Sequence, residues 1–332
     1  MKLLLIANEV SSIDKITNYT DMWSYYLSKA FRRCNIELHY HSPSIQNDVE
    51  FTNSVLNKAE SVKADHIIAL GVRFFSRIKK EVGIKICSSF KGLVCQVHDG
   101  SLLDGAPADI NFTVRDDDWR YEDNVNNRMT RHKLYNYHVG WAADREIFYP
   151  EQNENDTLKI FVDHSTFTDT SPDYTLNVLM SLKRLRDIIS STGLGKFKNL
   201  DLTTLTDNGI EGIDLDNIHV KPYNRTAVPL PKFSAELRKS HVFIVTHNES
   251  VGLSVLEAAH CGAFVIAPKD TINPCRLSKV KHMIFNGNID WTNLPSQVSP
   301  DENSLFVLSQ NWDNVAHNII KGLLEMKKRE WK

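Results

Sequence analysis

The chain lacks several features that mark particular classes of protein. Its 332 residues include five cysteines, which are odd in number, scattered and without a C-x-x-C pair. This excludes a disulfide framework or a zinc knuckle and suits a reducing compartment, so we expect a cytoplasmic location, or the host cytoplasm for a viral protein. No apolar run approaches the roughly 20 residues that span a bilayer, so we expect no transmembrane segment.

The chain also lacks a large net charge. Lys and Arg number 39 against 41 Asp and Glu, a net charge of −2. A broad polyanion-binding surface needs clustered cations and is disfavoured, although a basic groove around Arg73, Arg77, Lys79 and Lys80 stays open. There is no H-E-x-x-H zinc motif and no G-x-S-x-G elbow, which argues against those metalloproteases and hydrolases. The acids in residues 115–120 stand beside two arginines and indicate a solvated loop.

What the first half contains is an alternation of apolar strand-like runs and amphipathic helical stretches. This pattern is typical of βα units around a largely parallel sheet. We read the apolar start of the chain as a buried strand and not as a signal peptide. The pattern predicts strands at residues 3–7, 36–40, 66–70, 93–97 and 110–114, a helix capped by Thr20, and another at residues 54–63.

The polar segment 150–157 has no periodicity and predicts a linker, after which the alternation restarts. The pattern predicts strands at residues 158–162, 241–246 and 263–267, a helix opened by Pro172, one ending at Cys261 with Gly262 as its left-handed cap, and a final helix over residues 312–331. We therefore expect an α/β protein of two doubly wound, Rossmann-like domains, at residues 1–150 and 151–311. Residues 312–332 are expected to return to the first domain.

Residues 246–266 are the most informative segment. A strand leads through a polar loop to Gly252, a helix, Gly262 and a second strand. Ligands of parallel sheets bind beyond the carboxyl ends of the strands, and the backbone N–H groups near Val251, Gly252 and Leu253 would favour an anion there. Glu249 and Glu257 are eight residues apart, about 80° around a helix, so they do not share a face. Glu249 would then face a substrate from the loop, and Glu257 would accept hydrogen bonds from sugar hydroxyls.

A plainer interpretation of the same two acids stays open. Glu249 would be a solvated loop residue, and Glu257 a buried acid paired with its neighbours. Acids eight residues apart are common, and only their place in the ordered strand–glycine–helix–glycine–strand series favours a site.

That series resembles the signature of the retaining GT-B glycosyltransferases, glycosyltransferase family 4 in particular. The family pattern E-x-x-G-x-x-x-x-E-A is matched by Glu249, Gly252, Glu257 and Ala258. The resemblance implies a GT-B fold with a cleft between two domains. It also implies Glu249 near the donor sugar, Glu257 on the ribose hydroxyls of the nucleotide, retention of anomeric configuration and catalysis without a metal or other cofactor.

Other segments are similar to the same family. Residues 94–99 resemble the strand that ends in His-Asp, which implies catalytic or acceptor-side roles for His98 and Asp99. Without the resemblance, the position of His98 favours a strand-end residue that caps its own loop. Residues 218–223 take the place of the stretch that cradles the base and bring in Pro222 and Tyr223. Residues 137–150 resemble the interdomain stretch, with His138 and Val139-Gly140 where the family has Asn-Gly-Val.

Two family elements are absent. Residues 8–12 replace the glycine-rich loop, and the G-R-x-x-x-x-K-G element that binds the donor diphosphate is missing after residues 158–162. His164 and Ser165 stand in its place. The diphosphate would then be bound by the helix N-terminus and by cations from elsewhere, with Arg225 and Lys232 as candidates by position.

We therefore expect a hexosyl- or pentosyltransferase that moves a sugar from a nucleotide sugar, a UDP-sugar in the first instance, to an acceptor hydroxyl. The acceptor would be a glycan, a lipid-linked sugar, a small molecule or modified DNA. Three alternatives stay open: a phage-type glycosyltransferase acting on hydroxylated DNA bases, an epimerase or hydrolase of the same fold, and a non-catalytic relative that only binds a nucleotide or a partner.

Overall fold

The computed structural model describes most of the chain. The described residues are 1–16, 19–43, 47–70, 80–98, 108–113, 136–140, 142–151, 155–163, 172–205, 219–223, 230–246, 252–268, 280–292, 294, 307, 309–326 and 328. The chain divides into two compact units. The first is Met1–Trp141 with Asn311–Lys332, and the second is Ala142–Gln310.

The first unit contains a parallel sheet of six strands in the order β2-β1-β3-β4-β5-β6. Its inner strands are buried on both faces, so they read as almost continuous apolar runs. The strands are β1 (Lys2–Ile6), β2 (Glu37–His41), β3 (His66–Leu70), β4 (Val94–His98), β5 (Ile110–Thr113) and β6 (Asn136–His138).

The second unit contains another six-stranded parallel sheet, in the order β12-β11-β10-β7-β8-β9. The strands are β7 (Thr157–Asp163), β8 (Asn199–Leu205), β9 (His219–Tyr223), β10 (Val242–Val245), β11 (Phe264–Pro268) and β12 (His282–Phe285). Followed along the chain, β7, β8 and β9 extend to one side and β10, β11 and β12 to the other. The direction therefore reverses between β7 and β10.

In the part of the chain that the structure describes, helices lie between these strands, and a last helix follows them. The helices are α1 (Tyr19–Arg33), α2 (Asp48–Val62), α3 (Lys80–Ser89), α4 (Pro172–Ser191), α5 (Leu230–Arg238), α6 (Leu253–His260) and α7 (Trp312–Glu325). In the second unit, Val178, Leu182, Leu185 and Ile189 of α4 pack into the buried apolar core beside the sheet, which is the stripe that their spacing predicts. No helix among the residues placed here is long and apolar enough to cross a membrane.

The predicted strands and the doubly wound architecture are confirmed, with bounds shifted by one or two residues. Pro172 is the first residue of α4, and Gly262 has the left-handed backbone expected after α6, with φ 78°. The start of α1 was wrongly predicted. The helix begins at Tyr19, so Thr20 lies inside it and does not cap it.

Two other helix ends differ from the prediction. The second helix begins at Asp48 because the Asn47 side chain accepts the N–H groups of Val49 and Glu50, at 2.9 and 3.3 Å. The last helix stops at Glu325, short of the predicted residue 331, and Met326 is extended. The position of Lys328 in the sequence suggests that it stabilises the end of the last helix. Because the helix stops at Glu325, Lys328 instead binds a buried carboxylate of the first unit.

Candidate functional site

The candidate site lies where the second sheet changes direction, at the carboxyl ends of β7 and β10. The two strands are adjacent, and Val245 is in register with Asp163. Thr246 then donates both its N–H (3.3 Å) and its hydroxyl (3.1 Å) to the carbonyl of Asp163. In open α/β sheets this point of reversal forms the crevice that binds ligands.

Helix α6 begins directly after this crevice, and Gly252 is its cap residue. Gly252 has φ 69° and ψ 41°, the left-handed conformation that favours glycine, and contributes no side chain to the cap. Its carbonyl accepts the N–H of Leu256 at 3.0 Å, which closes the first turn. The first N–H groups of α6, from Leu253 onward, receive no hydrogen bond from a side chain of the cap residue itself, and with the helix dipole they favour an anion.

Glu257 lies on α6, about one turn after its start, and is 3% exposed. Its charge acts on Cys261, one turn later. Burial first, and the Glu257 carboxylate second, raise the pKa of the Cys261 thiol well above its usual value. A buried carboxylate in this position accepts strong hydrogen bonds from any hydroxyl that reaches it.

Arg238, at the end of α5, is a cation that acts on Cys261, the residue that follows α6. It lowers the pKa of Cys261, against the effects of burial and of Glu257. Its Nε is 2.9 Å from the Glu151 carboxylate, its Nη1 donates to the carbonyl of Ile147 at 3.2 Å, and its guanidinium lies 4.5 Å from the ring of Tyr149. These contacts hold the segment before β7 against α5, so Arg238 is occupied structurally.

The structure describes only part of the predicted site. Gly252, Leu253 and Glu257 come together on α6, while Pro222 and Tyr223 are the last residues of β9, at the same edge of the sheet as the ends of β7 and β10. His98 is the last residue of β4 in the first unit. Lys232 is exposed on α5. The remaining predicted site residues lie outside the described ranges: Asp99, His164, Ser165, Arg225, Glu249 and Val251.

Sequence reasoning missed Asp163. The family resemblance leads one to expect a cation after the first strand of this domain. That strand, β7, instead ends in Asp163, whose carboxylate is fully buried. The available signal was an acid that ends an apolar run. Within the described ranges, no group of three or more His, Cys, Asp or Glu side chains is arranged to hold a metal ion.

His260, the last residue of α6, was also missed. It is 4% exposed, and burial together with the positive charge of Arg145 lowers its pKa to about 4, although hydrogen bonds to the backbone of Gln310 and Val307 act in the opposite direction. The imidazole is therefore neutral at physiological pH and packs as part of the second unit.

This burial predicts a pH dependence of stability. An unfolded His titrates near pH 6.5, so between pH 6.5 and 4 the unfolded chain binds a proton that folded His260 does not. The stabilisation that comes from keeping His260 neutral is complete above pH 6.5 and decreases as the pH falls towards 4; the loss amounts to about 2 kcal/mol at pH 5. We expect the free energy of unfolding, measured in urea at pH 7.5 and 5.0, to fall by about that much more in the wild type than in His260→Gln. Equal falls in the two proteins would contradict the assignment.

No family model matches the chain, and no curated protein matches it in sequence. Solved structures match along almost its whole length. The trehalose-6-phosphate synthase OtsA has a TM-score of 0.64 and 11% identity, covering 99% of this chain and 100% of that one. The apo lipopolysaccharide outer core galactosyltransferase WaaB has a TM-score of 0.57 and 9% identity, covering 98% and 99%.

A third similar structure is the UDP-GlcNAc 2-epimerase from Methanocaldococcus jannaschii, with a TM-score of 0.54, 13% identity and coverage of 98% and 99%. At these identities the comparisons establish the fold alone. This chain has the GT-B fold of the glycosyltransferases, with two parallel-sheet α/β domains.

Proposed function

We propose that the protein is a glycosyltransferase that transfers a sugar from a nucleotide sugar, in the first instance a UDP-sugar, to an acceptor hydroxyl with retention of configuration. One observation carries the proposal. The reversal between β7 and β10 brings the glycine-capped start of α6 to a ligand crevice, with a buried glutamate on the same helix. The similar glycosyltransferase structures support the same activity.

In this proposal the second unit binds the donor. The diphosphate accepts hydrogen bonds from the first N–H groups of α6, and Gly252 lets it approach the backbone because no Cβ intervenes. Glu257 lies about 7 Å further along the helix axis and accepts hydrogen bonds from the ribose hydroxyls. Pro222 and Tyr223, at the end of β9, contact the base. Glu249 would contact the donor sugar.

The first unit would bind the acceptor, near His98 and Asp99. Retention then follows if the leaving phosphate itself takes the proton of the incoming hydroxyl, on the same face of the sugar. The protein contributes position and fixed hydrogen-bond donors that stabilise the developing phosphate charge. The helix dipole would supply part of that stabilisation. We propose a transfer without a metal ion or other cofactor, which is what the resemblance to glycosyltransferase family 4 implies.

A thermal-shift screen against nucleoside diphosphates and nucleotide sugars tests this function. A ligand that binds only the folded state stabilises it by RT ln(1 + [L]/Kd), so we expect one nucleotide family to raise Tm, with UDP as the first candidate. Incubation of that donor with candidate acceptors should then give a product with the anomeric configuration of the donor. Binding without turnover would indicate a non-catalytic relative, and the absence of any shift would contradict a donor site.

An epimerase is the second candidate, because the similar structures include a UDP-GlcNAc 2-epimerase. The two functions differ in what they require. An epimerase converts the nucleotide sugar without an acceptor and leaves the nucleotide attached to the sugar, whereas a transferase releases the free nucleoside diphosphate. NMR of the donor incubated with enzyme alone therefore separates the two.

A further inference from the structure

The side chains of Cys34 and His317 meet on the surface of the first unit. Cys34 directly follows α1, and its N–H donates to the carbonyls of Ala30 (3.2 Å) and Phe31 (3.0 Å). Asn35 then has the left-handed conformation, with φ 57°, where the chain leaves the helix. The Sγ of Cys34 lies 3.8 Å from Nε2 of His317 on α7. The thiol is partly exposed and the imidazole is exposed, so a small molecule in solution can reach both.

A backbone carbonyl fixes which nitrogen of His317 carries the proton. Nδ1 lies 2.7 Å from the carbonyl oxygen of Asp313, one turn earlier on α7. A carbonyl oxygen only accepts, so in the neutral imidazole Nδ1 donates and Nε2 keeps its lone pair. That lone pair faces the Cys34 thiol. His317 is therefore oriented as a base that can take the thiol proton, which is the arrangement that activates a cysteine as a nucleophile.

Charged groups from both helices lie near this pair. Arg33 directly precedes the cysteine, and its Nε is 2.9 Å from the Asp313 carboxylate. Lys321, one turn after the histidine on α7, is exposed and lies 3.8 Å from Glu325. The Asp313 carboxylate is thus held by a cation, so it does not oppose a thiolate at the cysteine as an unpaired carboxylate would.

The pair lies away from the edge of the sheet that carries the strand ends. Helix α1 returns the chain from the end of β1 to the beginning of β2, where Glu37 is in register with the beginning of β1. Cys34 therefore lies towards the amino edge of the sheet, whereas a parallel sheet binds its ligand at the carboxyl edge. The other cysteines within the described ranges are buried, and buried thiols are inert: Cys87, Cys95 and Cys261.

We propose that Cys34 is a site of reversible S-thiolation by a low-molecular-mass disulfide of the glutathione type, with His317 as its base. The thiol proton passes to Nε2, and the sulfur attacks one sulfur of the disulfide, whose S–S bond breaks as a new one forms to Cys34. The other half leaves as a thiolate and takes the proton from His317. Cys34 is oxidised and the departing half is reduced, so the disulfide itself is the oxidant. Such an exchange requires a thiolate and access to it, and the pair provides both.

Incubation of the full chain with glutathione disulfide at pH 7.5 tests this site. We expect a glutathionyl group that peptide mass analysis places on Cys34 and that dithiothreitol removes. The rate should fall roughly tenfold or more in His317→Gln, because the amide of glutamine does not accept the thiol proton. In guanidinium chloride the two proteins should react at equal rates, since the pair exists only in the folded chain.

His41→Gln is the matched control. His41 is the last residue of β2, about 13 Å along the strand from Glu37, and its Nε2 is 2.8 Å from Oγ of Ser54, so its removal should leave the rate unchanged. Iodoacetamide, which alkylates thiolates, is the second probe and should give the same order of rates. The proposal is overturned if glutathione disulfide leaves Cys34 unmodified while iodoacetamide alkylates it, if neither reagent modifies it, or if His317→Gln reacts as fast as the wild type.

Discussion

Replacing Lys328 by methionine is expected to lower the stability of the first unit by about 3 kcal/mol. The Nζ of Lys328 lies 3.1 Å from Oδ2 of Asp109 and 2.6 Å from the carbonyl of Gly92. Asp109 is fully buried, and the same oxygen accepts the N–H of Val94 at 2.8 Å. Without the lysine, a buried carboxylate loses its cation, and the methionine offers no donor in its place.

Hydrogen exchange in increasing urea, followed in peptides from β4 and β5, measures this loss in the first unit itself. Lys321→Met is the matched control, because Lys321 lies 3.8 Å from Glu325 with both side chains more than half exposed. Its removal should cost less than about 0.5 kcal/mol. The double variant Asp109→Asn/Lys328→Met should recover part of the stability, because no charge is then left buried. Equal effects of the two lysine variants would show that Lys328 is only a surface residue.

The contact of Lys328 is one of several that attach the segment after Gln310 to the first unit. After Gln310 the chain enters α7, whose Trp312 packs edge-on against Trp23 at 5.0 Å and stacks on Tyr26 at 5.1 Å. Arg33 pairs with Asp313 beside them. The amphipathic pattern of residues 312–325 predicts a helix with a buried face, but the partners of that face are about 290 residues earlier and only the structure identifies them.

Most strands predicted from the sequence are buried and are therefore nearly continuous apolar runs, such as residues 66–70 and 241–246. The predicted strand β2 differs, since Glu37–His41 is polar and only partly buried. Two strands were not predicted because they lack a continuous apolar run: β6, which is polar, and β8, whose Asn199–Leu205 sequence alternates. The start of α2 was not predicted because its apolar stripe begins after the cap, and Asn47 is one of several nearby residues that could cap a helix.

For the candidate site, a local motif predicted the short helix and the glycine cap that carry Glu257 and Gly252, and the roles of the two residues stay predictions. Sequence could not reveal that Asp163 and His260 are buried, since burial depends on elements far away in the chain. The alignment of His98, Thr113 and His138 at the ends of β4, β5 and β6 depends on strand register, which no spacing along the chain encodes. His138 did stand out as a departure from the family pattern, but without a role.

Replacing Glu257 by glutamine is expected to weaken binding of the donor nucleotide by roughly 10- to 100-fold, because hydrogen bonds to a charged acceptor contribute about 1.5–3 kcal/mol. Glutamine has nearly the same shape, so α6 should stay folded. Calorimetric titration of the nucleotide identified by the thermal-shift screen measures the loss. Glu236→Gln, on α5 of the same unit, is the control and should bind as the wild type does.

A lost affinity alone does not identify the group that Glu257 binds, and a ligand variant resolves this. If the carboxylate accepts the ribose hydroxyls, the wild type should bind the nucleoside diphosphate more tightly than its 2′,3′-dideoxy analogue, by a factor similar to the effect of Glu257→Gln. The variant should then discriminate little between the two ligands, because the hydroxyls have lost their partner in either case. Undiminished discrimination in Glu257→Gln would assign the ribose to other residues and leave Glu257 a purely structural role in α6.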